Sequence, residues 1–438
     1  MNDTRIAKGL ENIRDEHLIY FCMPGHKSRL QSDLLKYDIT EIEGSDNLAC
    51  SEGIIKNTEN KLSDIYKSKK SYISVNGSSL GVLASISSTF ETGDEVVIFR
   101  NSHISVYNAI YINNLKVHYI YQDEDPEKKL RKILSNNKVK GIVLTTPNYY
   151  GEILSKQFID YLKTTDLIVI SDEAHGSHLY LIDDKLSASN YSDVVIHSFH
   201  KTLPSMTQTA CVHVFTDRIP SDKIKKYINI FQTTSPSYVL MRSIDIMIDI
   251  CTSDGKKMMD ELLANIEFFS EELEKKTDFR VLNNKYSTTD KTRIIVAHNK
   301  SIDYSHLERK LRENGIQIEF SSDRGLVLIS SIMNTREDFL HLIYVLRKVD
   351  LKFKDDQIQH KVFKPEIKYS INKTYLKEKE KLSLENSIGR VVCEYIVEYP
   401  PGVPIIVPGE IMSKEIVEYI IRKKMNILLL KDNTINVY

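Results

Sequence analysis

Cysteine is scarce in this chain and never clustered. Cys22, Cys50, Cys211, Cys251 and Cys393 stand singly, with no C-x-x-C pair. That spacing excludes a disulfide scaffold and fits buried thiols in a reduced, cytoplasmic setting. Long apolar runs are missing too: none approaches the roughly 20 residues that cross a bilayer. The opening Met1-Asn2-Asp3-Thr4-Arg5 lacks the apolar core of a secretion signal. Excess charge is absent, the formal balance being −1, so neither nucleic acid nor an anionic membrane is an expected partner. There is no Gly-x-x-x-x-Gly-Lys-Ser/Thr loop, which removes the helicase reading of Asp172-Glu173-Ala174-His175. No repeat or low-complexity segment interrupts the 438 residues, a length that calls for two or three domains.

What is present concentrates in residues 166–204. Two β-branched runs, Leu167 to Ile170 and Val194 to Ile196, read as buried parallel strands. Asp172-Glu173-Ala174-His175 follows the first and Ser198-Phe199-His200-Lys201 the second. Open α/β sheets bind ligands at the carboxyl ends of their strands. An acid at one such end and a lysine about thirty residues on meet the needs of a pyridoxal phosphate (PLP) site. There a carboxylate keeps the ring nitrogen protonated and a lysine holds the aldehyde as a Schiff base. Taken singly, each feature has a plainer reading. A lone lysine after a strand is usually a solvated charge. The pairs His175/His178 and His197/His200 would suggest a metal, but residues three apart on an extended strand point to opposite faces. No third ligand has suitable spacing, and no metal is expected.

The chain in order supports the PLP reading. Residues 1–60 form a helical start and loops, an N-terminal segment with the reach of an arm across a dimer partner. From 61 to 255 apolar strands alternate with amphipathic helices, the pattern of a mostly parallel, helix-covered sheet. Within it, Gly77-Ser78-Ser79 opens a helix, and free N–H groups at such a turn suit a phosphate. The strand ends at Gly77 to Ser79, His103, Asn148, Asp172 and Lys201 are then expected to converge on one cleft. A smaller α+β domain follows over 256–350, a charged linker over 351–376 and a C-terminal domain over 377–438.

Several motifs carry a resemblance. Met23-Pro24-Gly25-His26-Lys27, Asp172-Glu173-Ala174-His175-Gly176, Ser198-Phe199-His200-Lys201-Thr202-Leu203-Pro204 and Thr207-Gln208-Thr209 are similar to those of the Orn/Lys/Arg decarboxylases. Thr234-Ser235-Pro236-Ser237-Tyr238 and Tyr399-Pro400-Pro401-Gly402-Val403-Pro404 through Pro408-Gly409-Glu410 resemble the same family. The matches run in family order from residue 22 to 410, and the length resembles the compact members without a response-regulator-like domain.

The resemblance implies a fold-type-I, aspartate aminotransferase-like PLP enzyme with a seven-stranded sheet and smaller α+β C-terminal domains. It implies decarboxylation of arginine, lysine or ornithine, as in polyamine biosynthesis, by a cytoplasmic homodimer or dimer-based oligomer with its active site at the subunit interface. An aminotransferase or lyase on the same fold, or a PLP-binding protein without turnover, are the alternatives. By the same resemblance Lys201 holds the cofactor, Asp172 bonds its ring nitrogen, His103 stacks on one ring face and Ala174 packs on the other. Ser78, Ser79, Ser198 and His200 surround the phosphate, with Thr234 contributed by the partner subunit. His175 sits near the reacting carbon, and His200 or Lys201 returns the proton. Departures fall at Ser28, at Leu80-Gly81-Val82, at Ile104 and at Phe199, where many members have threonine. The residue pairing the substrate's distal cation is not identifiable; Glu410 is a candidate only by its place in a Pro-Gly-Glu loop.

Overall fold

The structure is a computed structural model and describes residues 4–16, 33–282, 288–354, 362–374, 378–400, 402–422, 427–428 and 434–438. Met23 to Lys27, Ser28 and Pro401 lie outside the described residues.

Seven strands make the main sheet: β1 (Lys70–Ser74), β2 (Glu95–Phe99), β3 (Lys116–Ile120), β4 (Val139–Thr145), β5 (Ile168–Asp172), β6 (Val194–Ser198) and β7 (Ala210–Val214), in the order β1-β7-β6-β5-β4-β2-β3. β2 runs parallel to both β3 and β4, while β7 is antiparallel to β6 and β1. Every residue of β6 and β7 is buried, which explains why their sequences show no polar alternation: a strand covered on both faces has no solvent face to mark. The central strands run two residues further than their β-branched runs, so Asp172 and Ser198 are the last residues of β5 and β6.

The chain forms two compact units. One comprises Met1–Ser85, Thr146–Lys156 and Ser171–His360. Its core gathers Ile6, Leu10 and Ile13 of the helix Ile6–Asp15, Tyr238 to Cys251 of the helix Tyr238–Ser253, and the long helix Gly255–Lys276. It also contains an antiparallel sheet of β8 (Phe279–Val281), β9 (Arg293–His298), β10 (Phe320–Ser322) and β11 (Gly325–Ile329), in the order β10-β11-β9-β8. The helix Gly77–Thr89 lies so close to the sheet that a Cβ on Gly81 would come within 2.8 Å of Ile196 Cγ2. Gly81 is therefore set by packing, and Leu80 beside it is buried.

The second unit comprises Ile86–Thr145, Gln157–Ile170 and Lys361–Tyr438. Its C-terminal part pairs β12 (Glu380–Ser383) with β16 (Thr434–Val437), and β13 (Ile396–Glu398) with β14 (Val403–Ile406) and β15 (Ile427–Leu428). The helix Lys414–Arg422 buries Ile416, Val417 and Ile420 in that core. Among the described residues no helix is long and apolar enough to cross a membrane.

Candidate active site

β5 delivers Asp172 into a tight turn. The carboxylate Oδ1 accepts the Ala174 N–H at 3.2 Å, and Gly176 N–H closes the turn on Glu173 O at 2.9 Å. Gly176 has no room for a side chain, since a Cβ would meet Glu173 Cγ at 2.6 Å and Pro147 Cδ at 2.8 Å. Glu173 turns inward. It accepts from Ser187 Oγ and Ala188 N–H at 2.9 and 2.8 Å and pairs with His197 Nε2 at 2.8 Å. The adjacent acids thus separate, one to the core and one to the strand end.

β6 ends at Ser198, and one helical turn, Phe199–Thr202, carries Lys201. Phe199 is fully buried beside Tyr66 and His197, so this departure from the family pattern is a matter of core packing. Thr202 Oγ1 meets Ser177 Oγ at 2.8 Å, fastening the lysine turn to the loop after β5. That loop places His175 Nε2 3.1 Å from Lys201 Nζ. The other imidazole nitrogen, Nδ1, accepts from Arg293 Nη2 at 2.9 Å. The histidine spacings therefore do not describe strand faces: β5 has ended before His175, and His178 goes elsewhere, to Asp290 Oδ1 at 3.1 Å.

The electrostatics follow from burial. Lys201 is held below the ordinary amine range by desolvation, opposed by Asp172 and reinforced by the positive charge of Arg293. Asp172 is pushed above the usual carboxylate range by desolvation, against the pull of Lys201. The two residues follow from adjacent strands, Asp172 ending β5 and Lys201 in the turn after β6. Burial also lowers the pKa of His200, and Lys201 adds to the effect.

A third group assembles where β1 ends. Ser78 and Ser79 lie in the first turn of Gly77–Thr89, where backbone N–H groups have no partner inside the helix. Gln208, with φ +79°, receives the Gly77 N–H on its carbonyl at 2.9 Å, and its Nε2 donates to Val75 O at 3.4 Å. Its neighbour's carbonyl, Thr209 O, accepts the Phe199 N–H at 3.1 Å and lies 3.3 Å from His200 Nδ1. Ser198 Oγ is 3.4 Å from the same nitrogen. The Thr207-Gln208-Thr209 stretch therefore ties the serine turn to the Ser198–Lys201 turn. Thr234 is exposed; next to it, Thr233 N–H points at Asn76 Oδ1 of the same chain at 3.5 Å.

Three other sequence candidates have partners within the chain. Asn148 folds into its own loop, its Oδ1 accepting the N–H groups of Tyr150 and Glu152 at 3.0 Å. His103, in the second unit, caps the helix Ile104–Asn113 through Ser105 N–H at 3.2 Å, and its ring lies against Gly402. Ile104 contributes backbone there, its N–H donating to Gly402 O at 2.9 Å. Glu410 is no candidate for a substrate cation. It is wholly buried and takes both Arg100 Nε at 3.2 Å and Nη2 at 2.9 Å, as well as the Val407 N–H.

Sequence reasoning missed Arg293. Its signal was a cation opening the otherwise apolar β9, a position that demands a buried partner. Tyr149, stacked edge-on to His175 with centroids 4.9 Å apart and bonded to Glu319 Oε1, was missed with it.

An amine kept below its usual range suits PLP. So does a buried carboxylate whose Oδ2 takes no hydrogen bond among the described residues, and so does a helix start rich in hydroxyls. Fold and donor set together define a fold-type-I PLP enzyme. The chain belongs to the Orn/Lys/Arg decarboxylase family. Residues 6–307 match the description "Orn/Lys/Arg decarboxylase, major domain" and residues 353–426 the description "Orn/Lys/Arg decarboxylase, C-terminal domain".

Among relatives, the Bacillus subtilis protein YaaO is 29% identical, over 92% of this chain and 90% of its own length. An arginine decarboxylase of the same species is 25% identical, over 96% and 94%. In fold, the lysine decarboxylase of Francisella novicida superposes with a TM-score of 0.83 at 17% identity, covering 99% of this chain and 80% of that one. An aminotransferase for ureidoglycine and glyoxylate from Bacillus subtilis reaches 0.55 at 16% identity, over 67% and 83%. These structural likenesses establish the fold.

Proposed function

We propose that the protein decarboxylates a basic amino acid (arginine, lysine or ornithine) to the corresponding amine and CO2. The observation that carries this reading is the family match over residues 6–307 and 353–426, with Asp172 ending β5 and Lys201 in the turn after the adjacent β6. The arginine decarboxylase relative supports arginine as the first substrate to try.

When bound, PLP supplies the electron sink that makes loss of CO2 feasible at neutral pH. The residues do the rest. Lys201, its amine held below the ordinary range by burial, would be the residue that holds the cofactor aldehyde. Asp172, buried at the end of β5, would hold the proton on the cofactor's ring nitrogen. Ser78, Ser79, Ser198 and His200, with Thr234 of a partner subunit, would hold the phosphate, and His103 and Ala174 would take the ring faces. His200 or Lys201 would return the proton, with His175 Nε2 3.1 Å from Lys201 Nζ. His200 Nδ1 lies within reach of Ser198 Oγ and Thr209 O. The same reading carries a homodimer completing the site, a cytoplasmic setting and a part in polyamine biosynthesis.

The test is direct. PLP-loaded protein is incubated separately with arginine, lysine and ornithine, and agmatine, cadaverine, putrescine and CO2 are measured. One amine formed in step with CO2 is expected. An α-keto acid or pyridoxamine phosphate would assign an aminotransferase instead, and a stable cofactor band without product would leave a binding protein. Lys201→Ala should abolish the band and reduce turnover below detection.

A further inference from the structure

Arg293 stands at the start of β9, and its side chain is buried. Its stem passes so close to Gly151 that a Cβ there would lie 2.6 Å from Arg293 Cβ; Gly151 meets this with no side chain and a φ of +83°. The backbone is pinned as well, with Asp290 N–H bonded to Gly151 O at 2.9 Å and Arg293 N–H to Asp290 O at 3.1 Å. The guanidinium lies 5.8 Å from the Tyr149 ring centroid, and that ring stands edge-on to His175. Among the described residues, Nε and Nη1 have no hydrogen-bond partner. The contact that engages the group is Nη2 on His175 Nδ1 at 2.9 Å.

A guanidinium only donates. Where Nη2 donates to Nδ1, that nitrogen must present its lone pair, and the imidazole's single proton must sit on Nε2. Nε2 is 3.1 Å from Lys201 Nζ. An Nε2–H can hydrogen-bond to that nitrogen only if the amine also offers a lone pair; an ammonium there would meet hydrogen with hydrogen. We propose that Arg293 is a positioning residue that fixes His175 in its Nε2-protonated neutral tautomer and thereby holds Lys201 as the free amine that captures PLP.

The inference rests on the PLP reading above. The other ionisable groups acting on Lys201 are Asp172, which opposes the effect, Glu319, which also opposes it, and His200, which feels the lysine's charge. Asp290, Tyr149 and Glu319 act on Arg293 itself.

Two measurements test it on the full chain. In cofactor-free protein with 15N-labelled histidine, the His175 signal is assigned by its loss in His175→Gln and reports which nitrogen carries the proton. A neutral Nε2–H ring is expected in wild type and Arg293→Lys, and a mixed or protonated ring in Arg293→Met. A proton on Nδ1 in wild type, or the same tautomer in Arg293→Met, overturns the proposal. In the second measurement, the rate at which added PLP develops its protein-bound absorption band is followed against pH. The midpoint should rise by about one pH unit in Arg293→Met, the scale of losing a nearby charge and hydrogen bond, and return toward wild type in Arg293→Lys. An unchanged midpoint with a raised KM would make Arg293 a substrate contact and overturn the assignment. A wild-type protein that never develops the band refutes the PLP reading alone, because the tautomer measurement needs no cofactor.

Discussion

The two units each bury an arginine, and the two are equipped in opposite ways. Arg100, at the end of β2, is saturated. Glu410 takes Nε and Nη2, the carbonyls of Pro404 and Ile405 take Nη1 and Nη2, and Tyr107 Oη lies 3.3 Å from Nη1. Glu410 holds its pKa up in spite of burial. Among the described residues Arg293 has one such contact and two nitrogens with none, and burial lowers its pKa. Fold stability alone does not call for unsatisfied donors, which cost desolvation without return. Arg100 therefore reads as a fastener of the second unit, and Arg293 as a group kept under tension for the chemistry of Lys201.

Substitutions can break this contrast. Arg100→Met leaves the Glu410 carboxylate buried and unpaired and should cost about 3–5 kcal/mol in denaturant unfolding. The double change Arg100→Met with Glu410→Leu should recover most of that loss, because an apolar pair of similar volume replaces the ion pair. Gly151→Ala presses on the Arg293 stem at a positive φ and should cost roughly 1–3 kcal/mol while shifting PLP capture to higher pH. Arg293→Met should stay within about 1 kcal/mol of wild type in stability, since removing unmet donors relieves desolvation. An equal loss for the two arginines would erase the distinction.

The pH dependence sharpens it further. The Asp172 charge stabilises the Lys201 ammonium, so Asp172→Asn should move PLP capture to lower pH. Arg293→Met should move it to higher pH. Each shift is on the order of a unit, read from the same absorbance titration.

The sequence disclosed the placement of those candidate residues that local chemistry dictates. Asp172 and Lys201 were legible because a polar residue ending a buried β-branched run needs a reason, and because their order along the chain is that of the sheet's working edge. Ser78 and Ser79 were legible as a helix start. Arg293 was not, because its partner His175 is 118 positions away and no local pattern announces that meeting. Glu410 misled for the same reason: a loop carboxylate looks alike in sequence whether it awaits a substrate or is already held by an arginine 310 residues distant. The histidine spacings misled because β5 stops at Asp172, so strand periodicity no longer governs the residues after it.

The left-handed residue Gln208 has a mechanical consequence. One short span of backbone carries the restraints on the serine turn and those on the lysine turn, so neither can drift without dragging the other. On the proposed reading, grip on the anionic tail of a bound molecule and aim at its reactive carbon would share this strut, and loosening it would blur both together.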